Sequence, residues 1–195
     1  MLLLLALATA LATDTDPHSG TNTLSAGGGG SCTYHYSTHD GHPVVTSASC
    51  SITTADLDKG TEPGTSQRAY VRELGGHDGC DNDDAGHILA NQLGGLAVPT
   101  NLFPQSPHLN RGAWESFERA IKACMTTGGA TSADLKWTFK YPSTSQTRPT
   151  TATYASSYNK GCPAASQSFD NVCTPTASVV DRNATAGERN ASRLR

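Results

Sequence analysis

The stretch from Asp81 to Glu118 holds the side chains of this chain that are best suited to chemistry. His87 follows Gly86, which lets the backbone pass closely and leaves the imidazole free, and a neutral imidazole is the usual general base near pH 7. Cleavage of a phosphodiester bond needs such a base, positive charge around the phosphate, and a metal ion or an acid at the leaving oxygen. A Gly-His pair alone is weak evidence, because structural histidines are more common.

Asn110 and Glu118 are eight residues apart, and Asn110 stands at the start of a predicted helix. A rise of about 1.5 Å per residue separates their Cα atoms by roughly 12 Å along the helix axis. If Asn110 binds a metal ion directly, we therefore expect Glu118 to act through metal-bound water. In the plainer alternative, Asn110 only caps the helix and Glu118 is solvated.

The acidic residues before His87 have the spacing that begins a calcium-binding EF-hand loop, with Asp81, Asp83 and Gly86 in place. Ala85, however, occupies a ligand position of that loop, and Gln92 stands where a bidentate glutamate is required. We therefore do not expect calcium to bind by this route.

Residue patterns also predict the elements that must position these side chains. An Asp40-Gly41 turn followed by a β-branched run predicts a β-hairpin over residues 32–51. Residues 113–125 carry an apolar stripe at helical spacing, and residues 135–141 alternate like a strand with one buried face. Residues 148–156 are the expected partner of that strand, and residues 67–74 form a short helix or strand.

Three histidines of the predicted hairpin, His35, His39 and His42, lie close together in the sequence. No carboxylate or thiolate spacing completes a known metal site with them. We therefore expect them to be exposed side chains rather than metal ligands.

The two ends of the chain differ in composition from its middle. Residues 1–12 form an apolar run that closes on small residues, as a secretory signal peptide does, although no Lys or Arg precedes it. Residues 13–31 are rich in Thr, Ser and Gly and are expected to be a flexible linker, and residues 32–173 to be the folded domain. Residues 174–195 are expected to be a disordered polar tail, with N-glycosylation sequons at Asn183 and Asn190.

Six cysteines at wide spacing, without any CxxC pair, favour disulfides over a zinc site, which fits an exported protein. The sequence does not determine how they pair. The sequential pairing is the simplest hypothesis: Cys32 with Cys50, Cys80 with Cys124, and Cys162 with Cys173.

The net charge of -3 argues against a strongly basic nucleic-acid-binding protein, but the charge is uneven along the chain. Residues 31–100 hold three basic and nine acidic residues, whereas residues 101–149 hold six basic and three acidic ones. The second region could carry a local basic face, and an ordinary solvated surface explains its charge equally well. The basic residues concerned are Arg111, Arg119, Lys122, Lys136, Lys140 and Arg148.

Five short motifs occur in order along the central stretch: DAGHILA at 84–90, LGG at 93–95, NLFPQ at 101–105, LNRGAW at 109–114, and Glu118. Together they resemble the DNA/RNA non-specific endonuclease family, which belongs to the ββα-metal (His-Me finger) nucleases. The resemblance continues more weakly through residues 67–68, 148–150 and 169–171. It implies an α+β fold with a mainly antiparallel sheet, on which a metal-site helix from about residue 110 to residue 126 packs.

The resemblance also implies roles for individual residues. His87 would be the general base, Asn110 the protein ligand of one divalent ion, and Glu118 the holder of metal-bound water. The ion is usually Mg²⁺, and Mn²⁺ could substitute for it. Asn101 and Asp84 would support the metal site.

The best-known members of the family have Arg between the Asp and the Gly of the first motif, where this chain has Ala85. One cationic contact to phosphate is therefore missing at that position. Arg111, next to the metal ligand, is a candidate catalytic residue, and Arg68, Arg72 and Arg119 are candidate substrate-binding residues. The sequence does not say which of these four replaces the missing arginine.

The resemblance implies a metal-dependent endonuclease that acts on DNA and RNA, and the apolar N-terminal run and the cysteines predict that it is secreted. We expect no membrane association, and the sequence indicates no obligate protein partner. Ala85 and the acidic net charge keep open an alternative, a secreted binding or toxin-like protein that has the nuclease fold but weak or no catalysis. A glycosylated surface protein without nuclease relation is a third hypothesis, suggested only by the Ser- and Thr-rich ends.

Overall fold

The computed structural model of the chain describes residues 16–173, so the predicted signal peptide and the predicted polar tail with its sequons lie outside the described residues. Six strands of the described part form one sheet in the order β1-β2-β3-β6-β7-β8, and every neighbouring pair is antiparallel. The strands are β1 (Gly20–Ser25), β2 (Ser31–His39), β3 (His42–Thr53), β6 (Ser132–Lys140), β7 (Thr151–Tyr158) and β8 (Ala165–Asp170). The predicted α+β class with a mainly antiparallel sheet is confirmed.

A second, two-stranded sheet carries the first and third motifs. Its strands β4 (Asp84–His87) and β5 (Leu102–Gln105) pair antiparallel, with His87 opposite Leu102. A short helical turn α2 (Pro107–Leu109), a wide π-type turn over Asn110–Trp114 and the helix α3 (Glu115–Thr126) follow β5. Two strands and a helix thus form a continuous ββα unit.

The helix prediction for residues 113–125 is confirmed, but the expectation of a regular helix from residue 110 is wrong. Gly112 has non-helical angles, φ -120 and ψ -108, and the backbone is kinked there. Trp114, in the kinked turn, is fully buried with its ring centroid 5.1 Å from that of Tyr154 and 5.2 Å from that of Phe169. These aromatic contacts fix the turn against the inner face of the large sheet.

Residues 65–77, whose type the sequence left open, form the helix α1 (Thr65–His77). Its buried side chains Val71 and Leu74 are three residues apart and lie on one face, which is a helical rather than a strand spacing. Val71 packs with Ala85 and Leu102 of the small sheet. Helix α1 therefore supports the ββα unit from the side opposite α3.

The predicted hairpin is formed by β2 and β3, which are joined by the two residues Asp40 and Gly41. Both have positive φ, 45° and 82°, as the tight hairpin turn requires. The expectation that the hairpin histidines are exposed is wrong for His39, which is buried and whose Nδ1 lies 2.7 Å from the carbonyl oxygen of Gln146. The turn places the His39 ring in contact with the loop that follows β6.

The expectation of a flexible linker over residues 13–31 is wrong for its second half, because Gly20–Ser25 forms the edge strand β1. The glycines that follow make a close-packed turn. A Cβ atom on Gly27 would stand 2.1 Å from the carbonyl oxygen of Lys59, and one on Gly28 would stand 2.2 Å from that of Ala55. The glycine-rich composition therefore reflects backbone packing rather than flexibility.

Asp56 holds this turn in place. Its fully buried carboxylate accepts hydrogen bonds from the backbone N–H groups of Gly28, Gly30 and Thr53 at 2.8 to 3.0 Å, and from the Thr53 hydroxyl. The turn between β1 and β2 is thereby joined to the segment after β3.

The described chain contains three disulfides, and only the first follows the sequential pairing. Cys32 is bonded to Cys50 across β2 and β3, as predicted. Cys80 is bonded to Cys173, and Cys124 to Cys162, so the other two predicted pairs are wrong. Tertiary packing decides the pairing, since α3 lies beside the loop after β7, and the C-terminal end of β8 returns to the loop after α1. Among the residues described, no helix has the length and apolar character needed to cross a membrane.

Replacement of Asp56 by Ala should lower the free energy of unfolding by roughly 2–4 kcal/mol, because it leaves several backbone N–H groups without acceptors. Guanidinium denaturation with the disulfides intact measures the loss. Asp170→Ala, which removes an exposed carboxylate from the edge strand β8, is the control. Equal stability of the two variants would show that the buried carboxylate does not hold the turn.

Candidate active site

The β4–β5 hairpin points its residues to two sides. Ala85 is buried against α1, while the carboxylate of Asp84 reaches the start of the kinked helix. Gly86 is required by close packing, because a Cβ atom there would stand 2.1 Å from the side-chain oxygen of Gln105. The predicted close passage of the backbone before His87 thus has a physical cause, the buried Gln105 on β5.

The imidazole of His87 is held in one orientation by a backbone carbonyl. Its Nε2 lies 2.9 Å from the carbonyl oxygen of Thr61, which can only accept a hydrogen bond. The ring proton is therefore on Nε2, and Nδ1 keeps its lone pair. Burial lowers the pKa of His87 below 6.5, although the Thr61 carbonyl and Glu62 act in the opposite direction. The imidazole is thus neutral near pH 7 with a free basic nitrogen.

Asn101 supports the backbone beside His87 instead of facing the metal site. Its side-chain oxygen accepts hydrogen bonds from the Tyr34 hydroxyl and the Leu89 N–H, and its amide group donates to the carbonyls of Leu89 and Leu96, all at 2.8 to 3.0 Å. The Asn101 carbonyl accepts a further bond from Ile88. With these bonds its amide is fully used, which leaves no lone pair directed at an ion.

Asn110 lies in the kinked turn, where Asp84 orients its amide. Asn110 Nδ2 donates to Asp84 Oδ2 at 3.0 Å, and Arg111 forms a two-pronged ion pair with the same carboxylate at 2.9 and 2.7 Å. In the part of the chain that the structure describes, Asn110 Oδ1 accepts no hydrogen bond. This amide oxygen is therefore available as a ligand.

Glu118 is a buried carboxyl group on α3. Burial raises its pKa from 4.5 to about 8; neighbouring Glu115 adds to the rise, whereas the polar groups of Trp114 and Gln92 oppose it. If Glu118 is ionised, the surrounding protein groups stabilise its negative charge only weakly. A nearby cation would stabilise it.

His87, Asn110, Arg111 and Glu118 line one cavity of about 390 Å³. The structure thus brings together the predicted base, metal ligand, water-holding carboxylate and one arginine, although the helix is not regular between Asn110 and Glu118. Ala90, the last residue of the first motif, also lines this cavity. The sequence did not indicate a role in the site for its other lining residues, which are Glu62, Asn91, Gln92 and Glu115. Nothing in the turn-rich segment around Glu62 marks it as part of a site.

The other predicted arginines do not line this cavity. Arg119 is paired with Glu115 at 2.6 Å, one turn away on α3. Arg68 donates from Nε to the carbonyl of Pro63 at 3.2 Å, and its positive charge contributes to the low pKa of His87. Arg72 is exposed one turn further along α1. Of the four arginines considered as substitutes for the one missing at Ala85, only Arg111 reaches the cavity.

The basic face suggested for residues 101–149 is wrong for Arg148, which is buried. Its guanidinium is bonded to both oxygens of Asp83, at 2.6 and 3.0 Å, and to the backbone and side-chain oxygens of Asn171. Asn171 in turn donates to the carbonyls of Pro104 and Pro149. These contacts join the small sheet to the loop before β4 and to the segment after β8.

The oxygen atoms of Asn110 and Glu118 fit a magnesium ion that keeps bound water better than a metal ion whose ligands all come from the protein. No group of three or more His, Cys, Asp or Glu side chains in the described chain has metal-site geometry. Mg²⁺ binds oxygen, retains several waters and needs only one or two protein ligands. The Asn110 oxygen can serve as such a ligand, and the buried Glu118 carboxyl can serve as a partner for bound water.

A hairpin that carries the histidine, followed by a kinked turn that carries the asparagine and leads into a helix, places the chain in the class of ββα-metal nucleases. The crystal structure of NucA from Streptococcus agalactiae, with a magnesium ion bound, has a similar fold. The TM-score is 0.50 at 11% sequence identity, over 82% of this chain and 77% of NucA. At that identity the similarity concerns the fold alone.

Sequence comparison identifies the family. Residues 24–158 match the family described as DNA/RNA non-specific endonuclease, and the chain therefore belongs to it. The chain is 40% identical over 116 residues to "Probable deoxyribonuclease RhsA" of Dickeya dadantii, covering 60% of this chain and 8% of that protein. It is 34% identical over 84 residues to "Type VII secretion system protein EssD" of Staphylococcus aureus, covering 40% of this chain and 13% of that protein. It spans only a small part of either relative's length.

The burial of Glu118 should appear in the pH dependence of stability of the metal-free protein. Between pH 4.5 and about 8 the folded state keeps a proton that the unfolded state has released, so the free energy of unfolding should fall as pH rises through this window. The fall should be shallower in Glu118→Gln. Denaturation across this pH range in EDTA measures it, with Glu73→Gln on the exposed side of α1 as the control. Equal slopes for wild type and Glu118→Gln would contradict a buried acid.

Proposed function

We propose that the chain is a metal-dependent endonuclease that hydrolyses phosphodiester bonds in both DNA and RNA. The observation that carries this proposal is the single cavity lined by His87, Asn110, Arg111 and Glu118. Membership of the endonuclease family supports the same reaction. Lack of sugar preference follows if the protein contacts phosphate rather than base edges or the 2′-hydroxyl.

In the proposed reaction His87 activates water. Nδ1, the nitrogen left free by the bond from Nε2 to Thr61, accepts a proton from a water molecule whose oxygen attacks phosphorus. A new P–O bond forms, the bond from phosphorus to the leaving oxygen breaks, and the leaving oxygen takes up a proton from solvent. The lowered pKa of His87 keeps the base neutral at physiological pH.

Arg111 is the proposed cationic contact to the phosphate. It lines the cavity next to Asn110, and the two-pronged bond to Asp84 fixes its guanidinium while 72% of the side chain stays exposed. Asp84 has the second task of orienting the Asn110 amide. Arg68, which lies near enough to influence His87, is a secondary substrate contact, and Arg72 and Arg119 would bind substrate only outside the cavity.

A divalent ion, Mg²⁺ or in its place Mn²⁺, would be held by Asn110, and Glu118 would hold its bound water. When bound, such an ion supplies positive charge for the pentavalent phosphate and the leaving oxygen. The magnesium ion named for the NucA crystal structure supports this choice. Asp84 and Asn101 contribute indirectly, Asp84 by orienting Asn110 and Asn101 by bracing the backbone after His87.

We also propose that the protein acts outside the cell that makes it. Three disulfides are typical of an oxidising compartment, and the apolar run at residues 1–12 has the composition of a signal peptide. The similarity to EssD, a type VII secretion system protein, supports export.

Purified protein with magnesium should degrade both plasmid DNA and RNA, and EDTA should stop the cleavage. His87→Ala should lower the rate by about 10²–10⁴-fold, the usual contribution of a general base. Gel assays with each substrate measure both effects. Undiminished cleavage by His87→Ala would remove this mechanism, and binding without cleavage in Mg²⁺ and in Mn²⁺ would favour the non-catalytic alternative.

Arg111→Ala should reduce kcat by roughly tenfold to a hundredfold through loss of charge at the phosphate. Its unfolding free energy should change by about 1 kcal/mol, because the Arg111 side of the ion pair is exposed. Arg119→Ala should cause a smaller loss, since Arg119 lies outside the cavity, and Lys136→Ala on the outer face of β6 is the control. A larger effect at Arg119 than at Arg111 would assign the phosphate contact elsewhere.

A further inference from the structure

Thr61, the residue that orients His87, is anchored at two groups that precede its carbonyl, the backbone N–H and the side-chain hydroxyl. Its N–H donates to the carbonyl of Gly95 at 3.1 Å, and its hydroxyl oxygen accepts the N–H of Ala97 at 2.8 Å. The carbonyl that follows these two anchors accepts the bond from His87 Nε2. A residue exposed on a turn-rich segment thus has a defined position relative to the active-site base.

The segment before Thr61 lies directly against the segment that it contacts. The N–H groups of Asp58 and Gly60 donate to the carbonyls of Gln92 and Asn91, both at 3.1 Å. A Cβ atom on Gly60 would stand 2.3 Å from the Asn91 carbonyl oxygen. The backbone approaches Thr61 in contact with residues 91–97. Beyond it, the Glu62 carboxylate accepts a hydrogen bond from the Asn91 amide, so the Thr61 hydroxyl is one of the attachments that flank the Thr61 carbonyl.

We propose that Thr61 is a positioning residue of the nuclease, whose side chain fixes the carbonyl that keeps the proton of His87 on Nε2. The proposal rests on the proposed function, in which His87 Nδ1 is the general base. The tautomer with the proton on Nδ1 cannot accept a proton from water at that atom, so any freedom of the Thr61 carbonyl reduces the fraction of competent enzyme. Thr61 touches neither the water nor the phosphate and acts only through the imidazole.

The hydroxyl, rather than the size of the side chain, is what this role requires. Valine has nearly the shape of threonine but no acceptor, so Thr61→Val leaves the Ala97 N–H without its partner. Serine keeps the acceptor and loses only a methyl group. The charged groups around the imidazole, Glu62 and Arg68, are unchanged in both variants.

The test compares Thr61→Val and Thr61→Ser with wild type in two measurements. Nitrogen-15 NMR of the imidazole in metal-free protein reports which ring nitrogen carries the proton, and steady-state kinetics with magnesium on a DNA substrate separate kcat from KM. Thr61→Val should show a mixture of tautomers and a kcat lowered by about tenfold, less than the loss of the whole base, with KM little changed. Thr61→Ser should restore both the single tautomer and the kcat.

Thr65→Val, the same chemical change at the exposed start of α1, is the matched control and should leave both measurements unchanged. A Thr61→Val protein with the wild-type tautomer and the wild-type kcat would overturn the proposal. A Thr61→Ser protein as impaired as Thr61→Val would also overturn it, since the hydroxyl would then not be the feature that matters. The proposed function fails by a different result, full cleavage by His87→Ala, so the two failures are distinguishable.

Discussion

The side-chain amide of Asn101 is the interaction on which the active site depends most. Four hydrogen bonds join it to β2 of the large sheet through Tyr34, to both backbone groups of Leu89, and to Leu96. The residues that follow His87 and the segment that anchors Thr61 are thereby tied to one buried group. Hydrogen bonds from a buried residue therefore fix the backbone next to the imidazole of His87, although the imidazole itself lines a cavity.

The proposed catalytic side chains could be selected from the sequence because they lie in short motifs whose order is specific. His87, Asn110 and Glu118 are such cases, and the structure places all three on one cavity. The strand β6 and the helix α3 could also be predicted. Each buries one face, which gives alternating apolar residues along β6 and an apolar stripe along α3. The Asp40-Gly41 turn was predictable because few residues adopt positive φ.

What could not be predicted depends on contacts between segments far apart in the chain. The sequence alone gives no reason why Arg148 is buried with Asp83 and Asn171 rather than exposed on a basic face. Nor does it show that the glycines at 27–30 pack against residues 55–59, or that a carbonyl at Thr61 meets His87. Every residue has a backbone carbonyl, so the residue type does not show which carbonyl orients a side chain. The contact between Thr61 and His87 could therefore not be predicted from the sequence.

The disulfide between Cys80 and Cys173 closes a covalent ring around every proposed catalytic side chain. His87, Asn110 and Glu118 all lie between the two bonded cysteines, which are 93 residues apart in the sequence. A single cut by a protease anywhere inside this ring leaves the two pieces covalently joined. One nick in an exposed loop therefore need not separate the proposed base from the proposed metal ligand.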